Sequence, residues 1–228
     1  MPSCVRDYES STSKEQYEQF YDRSDFKHFG RADKIFIKTL VETHSLKGLR
    51  LLDLGCGTGY YAHLFESFGV DVVGVDIAES GVQRTKHYFN VMQCLVGDGL
   101  SLPFLPGTLS AIFLSGFPIY NARDLSELST YRNTLFSFLK PNGLFIFHKT
   151  TDLSGQKGTR MNHTLHALQQ HFKSTSMFHL IGSYAVSPLS WMLMGHYALS
   201  PIGTKFCILF TKLTHIPLRA LIILRKKT

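Results

Sequence analysis

Short apolar runs alternate with helix-length segments through the middle of this chain, and this alternation restricts the fold more than any other feature of the sequence. The apolar runs are rich in Val, Ile and Leu and cover residues 49–54, 70–75, 91–96, 111–114 and 144–147. Between them, polar and apolar residues recur at helical spacing near residues 60–68, 80–90 and 125–139. Buried strands that alternate with helices form a parallel sheet with helices on both faces. The pattern therefore predicts an α/β fold with a doubly wound, mostly parallel sheet.

The two ends of the chain add further elements to this core. Residues 14–26 have the spacing of an aromatic amphipathic helix, and a second helix is expected over 31–44. Pro141, Asn142 and Gly143 are predicted to stop the helix before the fifth strand. Beyond residue 150 we expect a helix, a strand, a mostly helical segment and a last strand, over residues 158–172, 177–186, 188–214 and 219–224. The 228 residues suffice for one large core, so we expect a single domain over 1–228.

The chain is basic, with 24 Lys and Arg against 17 Asp and Glu. Such a balance fits an anionic partner or, more commonly, a solvated basic surface, and it does not define an activity. The most apolar region, 205–224, is interrupted by Lys212 and Pro217, so it lacks the run that a membrane-spanning helix needs. Weak peripheral contact with a membrane stays open.

Cysteine spacing and the first residues bear on the compartment. The four Cys include no C-x-x-C pair, so they indicate neither a zinc site nor a dense disulfide framework. The first twenty residues contain no apolar stretch of the kind found in a signal peptide. We therefore expect a cytoplasmic protein, and peripheral attachment to the membrane is compatible with this expectation.

A glycine loop follows the first strand, with Gly55, Gly57 and Gly59 ahead of a predicted helix. In this position the backbone N–H groups face a ligand at a helix N-terminus, and glycine lets the ligand approach the main chain. A dinucleotide fingerprint that starts at Gly55 needs a small residue at position 60, where this chain has Tyr60. The spacing therefore argues against a nicotinamide cofactor.

Acidic residues stand at or near the ends of three successive strands, at Asp53, Asp76 and Asp98. Asp53 beside the glycine loop would repel a pyrophosphate but attracts the ammonium or sulfonium end of S-adenosylmethionine. Asp76 comes one helix and one strand later, where a carboxylate can accept both ribose hydroxyls. Asp98 is then placed to accept the adenine amino group. Any one of these acids could be a helix cap or a turn residue, but their order favours a cofactor site.

The runs LLDLGCGTGYYA, VVGVDIAES, GDGLSLPF and LKPNGLFIF resemble, in order, the motifs of class I S-adenosylmethionine-dependent methyltransferases, especially those that act on small molecules. The resemblance implies a Rossmann-like, seven-stranded sheet of order 3-2-1-4-5-7-6 with the last strand antiparallel. It also divides the single domain into a tail and helical lid (1–30), a cofactor-binding core (31–150) and an acceptor-side region (151–228) with an insert (188–214).

The resemblance implies a role for each matching residue. Asp53 and the three glycines would hold the methionine part of the cofactor. Asp76 and Ile77 would contact the ribose and adenine, and Asp98 and Gly99 the adenine amino edge. Tyr21 lies in a segment similar to the one that folds over the cofactor in many relatives, although simple packing on the core explains it as well.

The acceptor is expected at the carboxyl ends of the fourth and fifth strands, beside the cofactor. Ser115, Tyr120 and His148 stand there, with Asn121 next to Tyr120. His148 is the candidate general base, since histidine titrates near neutral pH, and the alternative is a structural hydrogen bond to the neighbouring loop. Tyr120 is a candidate catalytic residue that contacts the substrate, and the alternative is a packed residue. The N/D-P-P-Y/F signature for nucleobase and glutamine amino groups is missing after strand four, so a small-molecule acceptor is favoured over nucleic acid.

Two further groups of residues have alternative interpretations. His163, His166 and His171 are expected on a solvated helix face, and no metal is predicted, since no carboxylate converges with them in the sequence. The apolar insert suggests a hydrophobic or membrane-presented acceptor, although core packing explains it almost as well.

Three functions follow from these observations, and the first is favoured. It is methyl transfer from S-adenosylmethionine to an O, N or C atom of a small metabolite, lipid-like compound or sugar. The alternatives are a non-catalytic S-adenosylmethionine-binding protein and, less favoured, a nicotinamide-dependent oxidoreductase. No obligate protein partner is indicated.

Overall fold

A computed structural model describes residues 14–23, 30–89, 93–99, 101–121, 124–151, 163–214 and 218–228. Its strands are β1 (Arg50–Leu54), β2 (Asp71–Asp76), β3 (Gln93–Val96), β4 (Leu109–Ser115), β5 (Leu139–Thr151), β6 (Phe178–Val186) and β7 (Leu218–Lys226). They form one sheet of order β3-β2-β1-β4-β5-β7-β6. Strand β7 pairs antiparallel with both of its neighbours, and β1 to β5 are parallel. The predicted sheet order and the antiparallel last strand are confirmed.

Helices cover both faces of the sheet. They are α1 (Lys14–Arg23), α2 (Arg31–Thr43), α3 (Tyr60–Ser67), α4 (Glu79–Tyr88), α5 (Ser129–Phe138), α6 (Leu165–Lys173), α7 (Pro188–Met194) and α8 (Pro201–Thr214). Helices α2, α3, α4 and α7 contribute to a core on one face, and α5 and α6 to a core on the other. Since one sheet runs from β1 to β7, we propose that the chain is a single domain.

Several element boundaries differ from the sequence expectation. Strand β5 begins at Leu139, which pairs with Leu109, and the register then skips to Leu144 beside Ala111. The residues between form an irregularity in the strand, where Asn142 has a φ of 64°. Helix α6 begins only after Thr164, whose side chain caps it by accepting a hydrogen bond from the Ala167 N–H. The expected helical residues 24–26 and 158–162 lie outside the described part of the chain.

Strand pairing brings the predicted polar residues to one region. Side chains alternate between the two faces of a sheet, and paired residues of neighbouring strands share a face. Asp53 pairs with Phe113, Ser115 with His148, and Thr150 with Arg219. Asp53, Ser115, His148 and Arg219 therefore point to the face that α2, α3 and α7 cover, near the carboxyl ends of the parallel strands.

Candidate cofactor and acceptor site

The loop between β1 and α3 is built on glycine. Gly55, Gly57 and Gly59 have φ values of 78°, 54° and 77°, a left-handed conformation that costs glycine little. Gly59 directly precedes α3, so the loop leads into a helix N-terminus, where backbone N–H groups point toward the loop. A Cβ on Gly55 would lie 2.9 Å from the ring of Phe117, and one on Gly57 would lie 2.7 Å from the hydroxyl oxygen of Tyr21. A side chain at position 55 or 57 would therefore collide with Phe117 or Tyr21.

Asp53 lies in β1 below this loop and is 2% exposed. Its Oδ2 has no hydrogen-bond partner among the described residues. Burial and, to a smaller extent, the charge of Asp76 raise the pKa of Asp53 to about 7, although a hydrogen bond from the backbone N–H of Ala62 opposes the shift. A buried carboxyl with an unsatisfied oxygen suits a cationic hydrogen-bond donor. The site therefore fits the ammonium-bearing methionine part of S-adenosylmethionine.

Asp76 connects the end of β2 to the glycine loop. Its Oδ2 accepts a hydrogen bond from the Gly57 N–H at 2.8 Å, and its Oδ1 accepts one from the Ala78 N–H at 2.9 Å. Burial raises the pKa of Asp76, and hydrogen bonds from Ala78, Gly57 and Ile77 oppose that shift. A carboxylate has about four acceptor positions, so it can hold the loop and still accept ribose hydroxyls. Ile77 follows it, partly buried.

Replacing Asp76 with Asn is expected to weaken cofactor binding by about tenfold or more. The loss of a loop hydrogen bond and the removal of a buried charge act in opposite directions on the free energy of unfolding, so the change in stability is expected to be small. The amide would place a donor against an N–H, either of Gly57 or of Ala78, so one loop hydrogen bond is lost. Asp71→Asn is the matched control, because it removes an exposed acid at the other end of the same strand. Calorimetric titration and thermal unfolding provide the two measurements. An unchanged affinity in Asp76→Asn would remove Asp76 from the site.

The ring of Phe117, which follows β4, lies between the glycine loop and the loop after β3. A Cβ on Gly99 would lie 2.8 Å from Cζ of Phe117, so this ring lies against both Gly55 and Gly99. The ring also stacks on Tyr131, with centroids 6.1 Å apart. Asp98 is exposed at this edge, and its backbone carbonyl accepts a hydrogen bond from the Ser101 N–H. Phe117 was not singled out from the sequence, where its only signal is its position just after β4.

Helix α1 lies across the glycine loop. The ring of Tyr21 is close to Gly57 and also to Gly81, where a Cβ would lie 3.0 Å from it. Glu18 accepts hydrogen bonds from the N–H groups of Glu79 and Ser80 at 2.7 and 2.8 Å. Hydrogen bonding to the side chain of Ser80, followed by these backbone hydrogen bonds, lowers the pKa of Glu18. The helix that was expected as a lid is thus attached to the N-terminus of α4. Contact between Tyr21 and the cofactor stays a proposal.

His148 lies in an aromatic enclosure at the end of β5. Its Nδ1 is 3.0 Å from Oγ of Ser115, and its ring centroid is 4.6 Å from that of Phe36 and 5.9 Å from that of Tyr61. Burial, assisted by the charge of Arg219, holds the pKa of His148 well below its usual range. The imidazole is therefore neutral at physiological pH.

Polar residues from three elements surround this enclosure. Arg219 donates a hydrogen bond to the Tyr61 hydroxyl at 2.9 Å, and that hydroxyl lies 3.4 Å from Oδ1 of Asp33. The Tyr60 hydroxyl donates to Oδ2 of Asp33 at 2.7 Å. Tyr60, the residue that argued against a dinucleotide fingerprint, thus connects α3 to α2.

Tyr120 lies on the other side of the sheet. Its ring is fully buried and packs on Phe147, Phe172 and His171. None of the described residues gives its hydroxyl a hydrogen bond, and burial raises its pKa. These surroundings favour the packing interpretation, and a catalytic role for Tyr120 stays a prediction. The side chain of Asn121 lies outside the described part.

The expected histidine face is only partly exposed. His166 is exposed, but His171 is buried, which lowers its pKa to about 4. The expectation of a solvated face was therefore wrong for His171, because α6 packs this side chain against Tyr120. Within the described ranges, no group of His, Cys, Asp and Glu has the geometry of a metal site.

Known methyltransferases match part of this chain, and a solved structure matches nearly all of it. A family model described as a methyltransferase domain matches residues 51–143. A demethylmenaquinone methyltransferase of Lactococcus lactis is 30% identical over 122 residues, which are 50% of this chain and 47% of that protein. A ubiquinone biosynthesis O-methyltransferase of Roseobacter denitrificans is 45% identical over 115 residues, which are 48% of this chain and 44% of that protein. The solved structure of the cyclase SpnF has a TM-score of 0.64 at 17% identity and covers 95% of this chain and 97% of its own.

Residues 51–143 are thus similar to a methyltransferase domain, and the sheet order and the glycine loop are similar to those of class I S-adenosylmethionine-dependent methyltransferases. The chain spans less than half the length of the curated relatives it matches.

Proposed function

We propose that this protein transfers a methyl group from S-adenosylmethionine to an O, N or C atom of a small acceptor. The observation that carries the proposal is the unsatisfied Oδ2 of Asp53 under a glycine loop that Asp76 fixes. When bound, S-adenosylmethionine supplies an electrophilic methyl group on a sulfonium centre. The protein then needs to orient the acceptor in line with that methyl group and to exclude water, which together can supply most of the acceleration.

We propose the same roles for the cofactor-binding residues as the sequence suggested. Asp53 and the loop of Gly55, Gly57 and Gly59 hold the methionine part, Asp76 and Ile77 the ribose and adenine, and Asp98 and Gly99 the adenine edge. Ser115 faces the methyl group from the end of β4, and Tyr21 covers the loop from α1. Phe117 joins them as an aromatic wall between the β1 and β3 loops, where its ring face can stabilise a neighbouring cation.

The acceptor that the enclosure around His148 favours is apolar, with a polar atom to be methylated. Phe36, Tyr61 and Trp191 supply aromatic surface, since Trp191 lies 5.1 Å from Phe36 between ring centroids. Ser115 and His148 supply the few hydrogen-bonding groups. One relative is named a demethylmenaquinone methyltransferase and another is named for ubiquinone biosynthesis, which supports a lipid-like aromatic acceptor such as a quinone precursor. Peripheral membrane contact fits such an acceptor. Among the described residues, no helix is both long and apolar enough to span a bilayer.

A labelled methyl group tests the proposal. The full chain, incubated with S-adenosylmethionine labelled on its methyl group and with cell extracts split into aqueous and lipid fractions, is expected to label a compound in the lipid fraction. Asp53→Asn is the matched inactive control.

The same experiment distinguishes methyl transfer from a non-catalytic use of the cofactor site. The solved structure compared above is named a cyclase, so the fold alone does not establish methyl transfer. Cofactor binding without labelling in any fraction would favour a non-catalytic or different use of the site.

A further inference from the structure

Charge is divided unevenly between the two parts of the chain. All 17 acidic residues lie within residues 1–152, and residues 153–228 contain nine basic residues and no acidic residue. The last third of the chain is therefore positive throughout, while the rest is close to neutral. Such a field attracts a surface that carries dense negative charge.

Helix α8 exposes the apolar residues that a surface helix normally buries. Ile202, Leu209 and Leu213 are 73%, 59% and 73% exposed. The side that faces the protein contributes Gly203 and Cys207, and Phe206 and Ile208 are partly buried against the same cluster. The helix therefore has apolar residues on both sides, whereas a typical surface helix in water keeps its outward side polar.

Two lysines lie along the same exposed side of α8. Lys205 and Lys212 are both exposed, and with the three aliphatic residues they recur at intervals of three and four, which places all five on one stripe. We call these five residues, Ile202, Lys205, Leu209, Lys212 and Leu213, the α8 stripe. Helices with aliphatic residues and lysines on one side lie in the interface of an anionic bilayer, where the lysines reach the headgroups.

The α8 stripe adjoins the acceptor enclosure through α7. The buried side of α7 carries Trp191, which packs on Phe36 beside His148. Its exposed side carries Leu193, and the turn that follows carries the exposed Tyr197. A Cβ on Gly203 would lie 2.7 Å from the carbonyl oxygen of Tyr197, so α8 packs closely against this turn.

We propose that the α8 stripe docks the protein on an anionic lipid bilayer, with α8 parallel to the membrane plane. Ile202, Leu209 and Leu213 insert among the acyl chains, and Lys205 and Lys212 contact lipid phosphates. Docking is a property separate from methyl transfer. It also bears on the acceptor, because it brings the His148 enclosure to the bilayer, where apolar acceptors dissolve. It rests on the proposed function only in that respect, since membrane binding needs no cofactor.

A second copy of the chain fits the α8 stripe less well. A symmetric contact would bring the lysines of both copies together. No acidic residue after position 152 is available to pair them. A bilayer of anionic lipids instead supplies negative charge at the headgroups and apolar surface beneath them.

Vesicle co-sedimentation of the full chain, without cofactor, tests the proposal. The parent is expected to sediment with vesicles of phosphatidylcholine and phosphatidylserine in equal amounts, to stay in solution with pure phosphatidylcholine, and to dissociate as salt is raised. Since each basic residue near such a surface contributes about fivefold in affinity, the pair Lys205→Glu and Lys212→Glu is expected to lose at least about 25-fold. The triple variant Ile202→Ser, Leu209→Ser and Leu213→Ser is expected to lose sedimentation as well.

Two matched control variants separate the effect of the α8 stripe on vesicle binding from the effects of net charge and of exposed apolar area. Lys38→Glu with Lys86→Glu gives the same net charge on exposed sites elsewhere, and Leu105→Ser removes a leucine that is also 73% exposed. Both controls are expected to sediment like the parent. The proposal is overturned if the parent ignores anionic vesicles or if the charge control loses as much as the stripe variant. It is also overturned if light scattering shows a dimer that the triple variant abolishes, since a second copy then covers the stripe.

Discussion

Replacing Asp53 with Asn is expected to make the protein more stable and to abolish most of its cofactor binding. The pKa of Asp53 is about 7 in the folded protein, against an ordinary value of 3.8 that applies to the unfolded chain. Between these two values the unfolded chain has released the proton while the folded protein keeps it, so stability falls as pH rises from about 4 to about 7 and stays low above. Asparagine is neutral throughout, so the variant avoids this loss.

At about pH 8 the Asp53→Asn substitution should therefore raise the free energy of unfolding of the cofactor-free protein by a few kcal/mol, in order of magnitude. At about pH 4 the difference should vanish. Affinity for S-adenosylmethionine should fall by about 30-fold to 10³-fold, because the cationic end of the cofactor loses a buried charged partner. Thermal unfolding at the two pH values and calorimetric titration provide the measurements. A variant that is less stable at high pH, or that binds cofactor like the parent, would contradict this role of Asp53.

His148→Phe is expected to lower turnover by about 10²-fold or more once an acceptor is known, with cofactor affinity unchanged. Phenylalanine keeps the ring against Phe36 and Tyr61 but removes the nitrogen that can accept a hydrogen bond from the acceptor. Because the pKa of His148 lies well below its usual range, turnover of the parent should show no histidine titration between about pH 6 and pH 9.

His171→Phe is the matched control for this experiment, because it replaces another buried histidine with the same residue on the opposite side of the sheet. It is expected to retain the turnover of the parent. If His148→Phe stays within a few-fold of the parent across the same pH range, His148 is a packing residue and orientation is the main source of rate.

The sequence predicted the sheet and the outline of the cofactor site because both depend on local patterns. Alternating apolar runs and helices determine a parallel sheet, and the spacing of Gly55, Gly57 and Gly59 after the first strand marks a ligand-binding loop that leads into a helix. Asp53 and Asp76 were placed at the loop by strand order alone. These features need no knowledge of which side chains meet across the fold.

Contacts across the fold were not predictable in this way. Nothing local shows that Phe117 lies between Gly55 and Gly99, or that Tyr120 packs against His171 and Phe172 of α6. Lys149 was also missed as a titratable group, although it follows His148. It is buried, and burial lowers its pKa to about 7. Each of these outcomes depends on which face of a strand or turn the rest of the chain covers.

The role of the apolar insert could likewise not be predicted from the sequence. Its composition is compatible with core packing, an acceptor cap or a membrane surface. The orientation of α8 argues against core packing for Leu209 and Leu213, because they point outward while Cys207 is buried.

Titration of the purified chain with S-adenosylmethionine, its demethylated product and NAD, each in turn, tests the central claim most directly. We expect S-adenosylmethionine and its demethylated product to bind with one site per chain and to raise the temperature of unfolding, since a ligand that binds only the folded state stabilises it. We expect NAD not to bind. Binding of NAD together with no binding of S-adenosylmethionine would contradict the assignment of the glycine loop and of the acidic residues around it.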